Sequence, residues 1–170
     1  KDETAQILSV KKEKKKVQPP KLYDLTTLQR EANRLLGFTA QQTLDYTQSL
    51  YEKKLVTYPR TDARVLSTAV AKEIYKNISG LRNYQQAGAA AAEVLGMESW
   101  KNIAKTRYVN DKQITDHYAI VPTGQGLNAL RSVSLTAQRV YETIVRRFVC
   151  IFYPPAVYQK ISLVTKIQNE

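Results

Sequence analysis

The chain has 170 residues, 43% of them hydrophobic, and sets 26 Lys and Arg against 15 Asp and Glu for a formal charge of +11 and a pI near 9.7. That size suits one ordinary globular domain with a small appendage, and the charge points to a polyanionic partner, either nucleic acid or an anionic membrane surface. No apolar run approaches membrane-spanning length, and the lysine-rich start lacks the apolar core and small-residue cleavage site of a secretory signal, so a soluble protein is expected, with no membrane among its partners.

From the N-terminus, Gln6 to Val10 can be extended and leads into Lys11-Lys12-Glu13-Lys14-Lys15-Lys16. Such a run is most simply a solvated face and only secondarily a phosphate contact. Pro19-Pro20 ends this stretch, because proline fixes φ and donates no backbone hydrogen bond. Thr26 to Leu36 is predicted helical and closed by Gly37. Thr39 with Gln42 three residues on has the form of a capping box, opening a helix from about 40 to 54 with Leu44, Thr47, Leu50, Tyr51 and Leu55 at helical spacing. At that spacing the aromatics Tyr23, Phe38, Tyr46 and Tyr51 read as core more readily than as base-stacking rings.

Thr68 to Ile78 repeats apolar residues with a helical period before Gly80, and the alanine-rich stretch 85–95 is also helical in composition. Arg107 to Ile120 mixes strand formers with polar residues, which suggests a short hairpin. Val140, Tyr141, Ile144, Val145, Phe148, Val149 and Phe152 form the longest regular stripe, with Thr136 as the expected N-cap and Pro154-Pro155 as the stop. Cys150, the sole cysteine, lies in this apolar stretch and is expected to pack as a small hydrophobe in a reducing compartment.

Val157, Ile161, Leu163 and Ile167 then alternate with Lys160, Ser162 and Lys166, as in a half-buried strand. The two flanks are predicted to pair antiparallel, so residues 1–20 and 154–170 would be strands of a neighbouring domain, with 21–153 inserted between them. The chain opens on Lys1-Asp2-Glu3 rather than methionine and stops at Gln168-Asn169-Glu170, which reads as an excised segment.

Candidate chemistry lies in Leu55-Val56-Thr57-Tyr58-Pro59-Arg60-Thr61-Asp62-Ala63-Arg64, just after a predicted helix. Proline biases the preceding residue toward an extended backbone, so Tyr58 should sit beyond the helix end with its hydroxyl projecting away. If the extended geometry continues, Tyr58 and Arg60 point to one side at about 7 Å, and a phosphate could bridge them. A phenol of pKa near 10 attacks a phosphodiester poorly unless positive charge or a proton acceptor is close. The planar guanidinium of Arg60 could grip phosphate oxygens in pairs and stabilise charge in the transition state. Among eleven tyrosines, however, most pack or face solvent, and the spacing of Tyr58, Pro59 and Arg60 alone would leave catalysis improbable.

Thr57-Tyr58-Pro59-Arg60-Thr61-Asp62 closely resembles the active-site signature of type IA DNA topoisomerases, in the form typical of the topoisomerase III branch. Pro19-Pro20-Lys21-Leu22-Tyr23-Asp24-Leu25-Thr26-Thr27-Leu28-Gln29-Arg30 is similar to the start of the family's tyrosine domain, and Gly37-Phe38 and Thr43-Leu44 match the approach to its tyrosine. Ile114-Thr115-Asp116-His117-Tyr118-Ala119-Ile120-Val121-Pro122-Thr123 resembles a second signature, and Leu135-Thr136, Val140-Tyr141 and Ile144 to Phe148 resemble the exit helix. Residues 80–105 are the least recognisable part. Ala63 stands where a serine is common, and Tyr118 where the branch often has a second histidine.

The resemblance implies a mainly α fold with a small β component: a winged-helix-like domain inserted between strands of a mobile gate domain. Tyr58 would cleave single-stranded DNA through a 5′-phosphotyrosyl link without ATP, and passage of a second strand would change DNA topology. Arg60 would assist cleavage, while His117, Arg60 and Thr61 would contact the DNA. Apart from that implication, a single histidine in a loop is usually a surface or capping residue.

The family's Mg²⁺ is held by clustered carboxylates of a TOPRIM domain. Here the acidic residues never fall at alternate positions, so no metal ligands are expected in this chain and the isolated piece should be inactive. Single-stranded DNA and the TOPRIM and gate domains of the same polypeptide would be its partners, in a bacterial cytoplasm. Two other classes compete: a non-catalytic helical DNA-binding module, favoured by charge and helix content, and a tyrosine recombinase or relaxase. The latter needs more histidines or an arginine–histidine constellation.

Overall fold

The computed structural model describes residues 4–167, so both terminal triplets on which the excised-segment expectation rests lie outside the described residues. The chain divides into two units, one spanning Pro20–Tyr153 and the other made of the flanks that end at Pro19 and resume at Pro154. In the flanking unit, β1 (Gln6–Val17) pairs antiparallel with β2 (Ala156–Lys166), as the alternation predicts, with one irregularity between Ile7 and Ser9. Opposed residues share a face, so Val10 with Leu163, Lys12 with Ile161 and Lys16 with Val157 interleave apolar and cationic side chains. The expected half-burial does not occur: both strands are exposed along their whole length, because neither face of the two-stranded ladder is covered.

The larger unit is built from α1 (Leu25–Leu36), α2 (Ala40–Glu52), α3 (Thr68–Gly80), α4 (Gly88–Met97) and α5 (Leu135–Cys150), with 3-10 turns in the connections that follow α3. Caps fix the first two. Asp24 and Thr27 form a capping box for α1, which Gly37 ends at φ 71, a left-handed conformation that glycine reaches without a Cβ clash. Thr39 and Gln42 close the predicted box on α2. For α5 the N-cap is Ser134 and not Thr136: its Oγ accepts from Ala137 N at 3.1 Å, which places Thr136 inside the first turn.

The core follows the stripe of α5. Ala137, Val140, Tyr141, Ile144, Val145, Phe148 and Val149 are buried and join Leu28 of α1, Leu50 of α2, Ile74 and Ile78 of α3, and Ala91 and Val94 of α4 in one apolar cluster. Burying each large side chain contributes about 1.5–3 kcal/mol. Thr43 and Thr47 sit fully buried on α2 because their hydroxyls donate to Thr39 O and Thr43 O one turn back. Cys150 departs from expectation: it is exposed, since the stripe turns Val149 inward and carries the next residue off the buried face.

The predicted hairpin over 107–120 does not form. Val109 instead bridges Leu66 in parallel and Ile120 bridges Tyr23, with a 3-10 turn at Asp111–Gln113 between, so this segment pairs with distant chain and not with itself.

Gly80 is the last residue of α3, with right-handed φ −60, and the chain continues from it into a 3-10 turn at Leu81–Asn83. A Cβ there would run into the carbonyl oxygen of Gly124, whose own φ is +78, and Asn77 Nδ2 donates to Pro122 O at 2.9 Å nearby. The end of α3 is thus seated directly on backbone that follows the second motif.

The same substitution at two helical glycines should therefore have opposite signs. Gly96→Ala in α4, where no atom lies within 4 Å of the added carbon, should raise stability by about 0.5–1 kcal/mol in urea denaturation. Gly80→Ala should lower it by about 1–3 kcal/mol, because backbone and not a flexible side chain is in the way. A stabilised Gly80→Ala protein would show that the contact is loose.

Candidate functional site

Tyr58 is carried by a connection that has no regular pairing of its own. The chain leaves α2, turns through Lys54 at φ 61, a conformation disfavoured for residues with a Cβ, and crosses residues 55–63 by isolated contacts. Three threonines replace the missing ladder. Thr57 Oγ1 donates to Ala119 O at 2.9 Å and accepts from Val121 N at 2.9 Å, while Thr57 N donates to Val121 O at 3.0 Å. Thr61 Oγ1 donates to His117 O at 2.9 Å and accepts from Ala63 N at 3.1 Å. From the opposite segment, Thr123 Oγ1 donates to Lys54 O at 2.6 Å and Thr123 N to Leu55 O at 3.0 Å.

Tyr58-Pro59-Arg60 is therefore held at both ends against the segment bearing His117. The Tyr58 and His117 rings lie 4.3 Å apart between centroids with planes 39° apart. On its other side Tyr58 meets Tyr51 of α2 edge to face, at 5.4 Å and 78°. Tyr58 is half-buried, whereas His117 and Arg60 are exposed.

The backbone bends at Pro59 and Arg60, so the extended path expected across Tyr58 and Arg60 is not followed. Tyr58 lines a cleft of about 530 Å³ with Tyr51, Lys54, Thr57, His117 and Tyr118. Arg60 lines another, of about 410 Å³, with Thr26, Thr61, Asp62, Asp116 and His117. His117 belongs to both. Arg60 makes no hydrogen bond or ion pair among the described residues, leaving its guanidinium available to a ligand. Thr61, by contrast, is 8% exposed and its hydroxyl is engaged in both directions, an arrangement suited to holding the loop more than to reaching a ligand.

The buried tyrosines are poor alternatives as nucleophiles. Burial pushes the hydroxyls of Tyr23 and Tyr84 up to about 12, even though Arg147 beside Tyr23 pulls the other way, and burial raises Tyr141 further still. Another cleft, lined by Tyr23, Glu31, Arg139, Glu142, Arg146 and Arg147, uses its charges internally: Arg146 pairs with Glu142 at 2.7 Å and Arg147 with Glu31 at 3.6 Å. Arg147 also stacks 4.1 Å over Tyr23 and donates to Lys21 O at 3.1 Å. Among the described residues no group of three or more His, Cys, Asp or Glu side chains could hold a metal ion.

Tyr51 was assigned to the core by its helical spacing, yet it is 39% exposed and forms one wall around Tyr58. Only its place at the last turn of α2, shortly before Tyr58, could have marked it. The clamping role of Thr57 had no sequence signal beyond its position inside the motif.

Residues 1–170 match the family described as DNA topoisomerase. The chain is 38% identical to DNA topoisomerase 3 of Bacillus licheniformis over 167 residues, covering 98% of this chain and 22% of that protein. It is likewise 38% identical to DNA topoisomerase 3 of Bacillus subtilis (strain 168) over 169 residues, again 98% of this chain and 22% of the relative. It thus spans about a fifth of the length of these relatives. Full-length topoisomerase I from Thermotoga maritima shares the fold with a TM-score of 0.65 at 23% identity, over 99% of this chain and 26% of that one.

Thr57→Val should cost about 1–3 kcal/mol in chemical denaturation, because it strands Ala119 O and Val121 N, whose residues are fully buried. Thr57→Ser, which keeps the hydroxyl, should recover most of the loss. Equal stability of the valine variant and the parent would mean that the clamp is not holding the loop.

Proposed function

This chain belongs to the DNA topoisomerase family, and from that premise we propose that it is the tyrosine-bearing part of a type IA enzyme of the topoisomerase III branch. Tyr58 attacks a phosphorus of single-stranded DNA. Its Oη–P bond forms as the P–O3′ bond breaks, giving a 5′-phosphotyrosyl link and a 3′-hydroxyl that can reverse the step. The phenol gives up its proton and the departing O3′ takes one up. Because the phosphodiester bond is exchanged and not hydrolysed, rejoining needs no ATP.

The observation that carries this reading is the meeting of Tyr58 with His117, two residues far apart in sequence, at 4.3 Å between ring centroids. A phosphate entering beside Tyr58 would lie where the exposed His117 can contact it. Arg60, unpaired and lining the neighbouring cleft beside His117, supplies the positive charge that the phosphoryl oxygens require as charge builds up. Thr61, with its hydroxyl turned to His117 O, keeps histidine and motif in register, and any direct hold on the DNA would be secondary.

The Mg²⁺ implied by the family finds no fitting ligand group among the described residues, so it would be bound by a TOPRIM domain elsewhere in the polypeptide, and none of the steps above runs through it. On that basis the chain alone should neither relax supercoils nor cleave efficiently. The helical unit would be the winged-helix-like, mobile domain, inserted between strands of the gate domain. The β1–β2 pair would be part of that gate, since a two-stranded ladder exposing Val10, Ile161 and Leu163 is marginal without further sheet. The enzyme would act in a bacterial cytoplasm.

In the protein at its full natural length, Tyr58→Phe should abolish denaturant-resistant trapping of single-stranded DNA while leaving oligonucleotide binding within about twofold of the parent. Arg60→Ala should slow cleavage by roughly 10²- to 10³-fold, as expected for loss of one preorganised charge contact, with Arg60→Lys recovering part of it. Undiminished trapping by Tyr58→Phe would favour the non-catalytic DNA-binding module instead.

A further inference from the structure

Away from the Tyr58 cleft, one surface combines an exposed tyrosine and a half-buried tryptophan with exchangeable positive charge. Tyr75 of α3 is 45% exposed, lying outside the buried stripe of Ala71, Ile74 and Ile78. Its ring meets Trp100, in the 3-10 turn Ser99–Lys105, at 5.2 Å between centroids and 55° between planes. Lys101 Nζ stands 5.7 Å from the centre of the Trp100 ring. Lys72, three residues before Tyr75, shares its face of the helix, and Lys76, one turn beyond Lys72, lies beside them on the exposed side.

Two details set this group apart from an ordinary surface. Trp100 Nε1 is buried with no hydrogen-bond partner among the described residues, so what remains exposed of the indole is apolar ring and not its donor. The lysines are also available. Lys76 is paired only with exposed Glu73 at 3.1 Å and Lys101 with exposed Glu98 at 2.6 Å, while Lys72 has no ion pair among the described residues. Pairs of this kind are weak in water and yield readily to another anion.

We propose that Tyr75 and Trp100, with Lys72, Lys76 and Lys101, form a second, non-covalent binding surface for single-stranded nucleic acid. Bases stack on the two rings while the ammonium groups meet the phosphates, the combination by which single strands are held without sequence preference. An apolar protein segment would satisfy the rings but leave the lysines without counter-charge; a single strand supplies both. The surface rests on the function proposed above only for the class of ligand, since it requires no covalent chemistry. It would hold a stretch of the strand distinct from the one reacting at Tyr58.

The test uses the protein at full natural length in a Tyr58→Phe background, so that binding is measured without trapping. A fluorescently labelled oligothymidylate is titrated by anisotropy at one fixed salt concentration. Adding Tyr75→Ala should weaken binding at least about fivefold, the low end for losing one stacked base, while Tyr75→Phe should stay close to the parent. Ultraviolet cross-linking of an iododeoxyuridine oligonucleotide to the parent, mapped by mass spectrometry, should yield an adduct on Tyr75 or Trp100.

Unchanged affinity in the Tyr75→Ala protein overturns the proposal, and so does a cross-link map lacking both rings, including the case where another part of the polypeptide covers them. The cross-link is read on unmutated rings, so misfolding of a variant cannot mask the answer. Trapping of DNA on Tyr58 in otherwise unaltered protein is scored separately, so either reading can fail without the other.

Discussion

Everything at the candidate site depends on the double hydrogen bond between the Thr57 hydroxyl and the backbone of Ala119 and Val121. The two segments it joins are far apart in sequence and share only isolated bridges, such as Val56 with Pro122, in place of a ladder. A side-chain hydroxyl can accept and donate at once, so one threonine satisfies two backbone groups that burial would otherwise leave unpaired. Thr61 repeats the device at His117 O. Between these two points Tyr58 is fixed by its surroundings and not by membership of a helix or strand. That suits a group required to face a ligand while its neighbours stay buried.

The same economy separates structural arginines from available ones. Arg64 donates to Leu22 O at 3.0 Å, and Arg147 is shared among Lys21 O, Glu31 and the Tyr23 ring. Both brace the approach to α1, whose first amide, Leu25 N, donates to Thr61 O at 3.1 Å. Cation and loop thereby belong to one network. Arg60 is the exception within the motif, exposed and with no partner among the described residues, and that isolation distinguishes it from the guanidinium groups used as struts.

Local signals were legible where the determinant itself was local. The Thr39–Gln42 box, Gly37 as the end of α1 and the stripe of α5 all depend on residues within a few positions of one another, and each is found. The antiparallel flanks were readable from alternation, but their burial was not, because burial depends on what covers a face and alternation does not encode that. The close packing of Gly80 was not readable, since its constraint comes from Gly124, remote in sequence. The path of 107–120 was misread for the same reason: strand-forming residues there pair with Leu66 and Tyr23 and not with each other. At the site, the motif pointed to Tyr58, Arg60 and His117 as candidates. Their arrangement into two clefts sharing His117, with Tyr51 as a wall, follows from the bend at Pro59 and the threonine clamps, which no spacing rule contains.

The net charge acquires a more specific meaning once its bearers are located. Five of the 26 Lys and Arg lie in the lysine run of β1, wholly exposed, and a share of the arginine charge is spent on internal carbonyls and carboxylates. An exposed run attracts any polyanion over about a Debye length and is screened by salt, so it raises encounter without choosing a phosphate. Choice requires a cation that is unpaired, fixed by short-range geometry and adjacent to the reacting oxygen. In this chain Arg60 meets the first condition among the described residues, and its cleft shares His117 with the one that Tyr58 lines. The backbone that carries it is held by the flanking threonines, so the shape of the loop follows from its hydrogen bonds more than from the overall charge of +11.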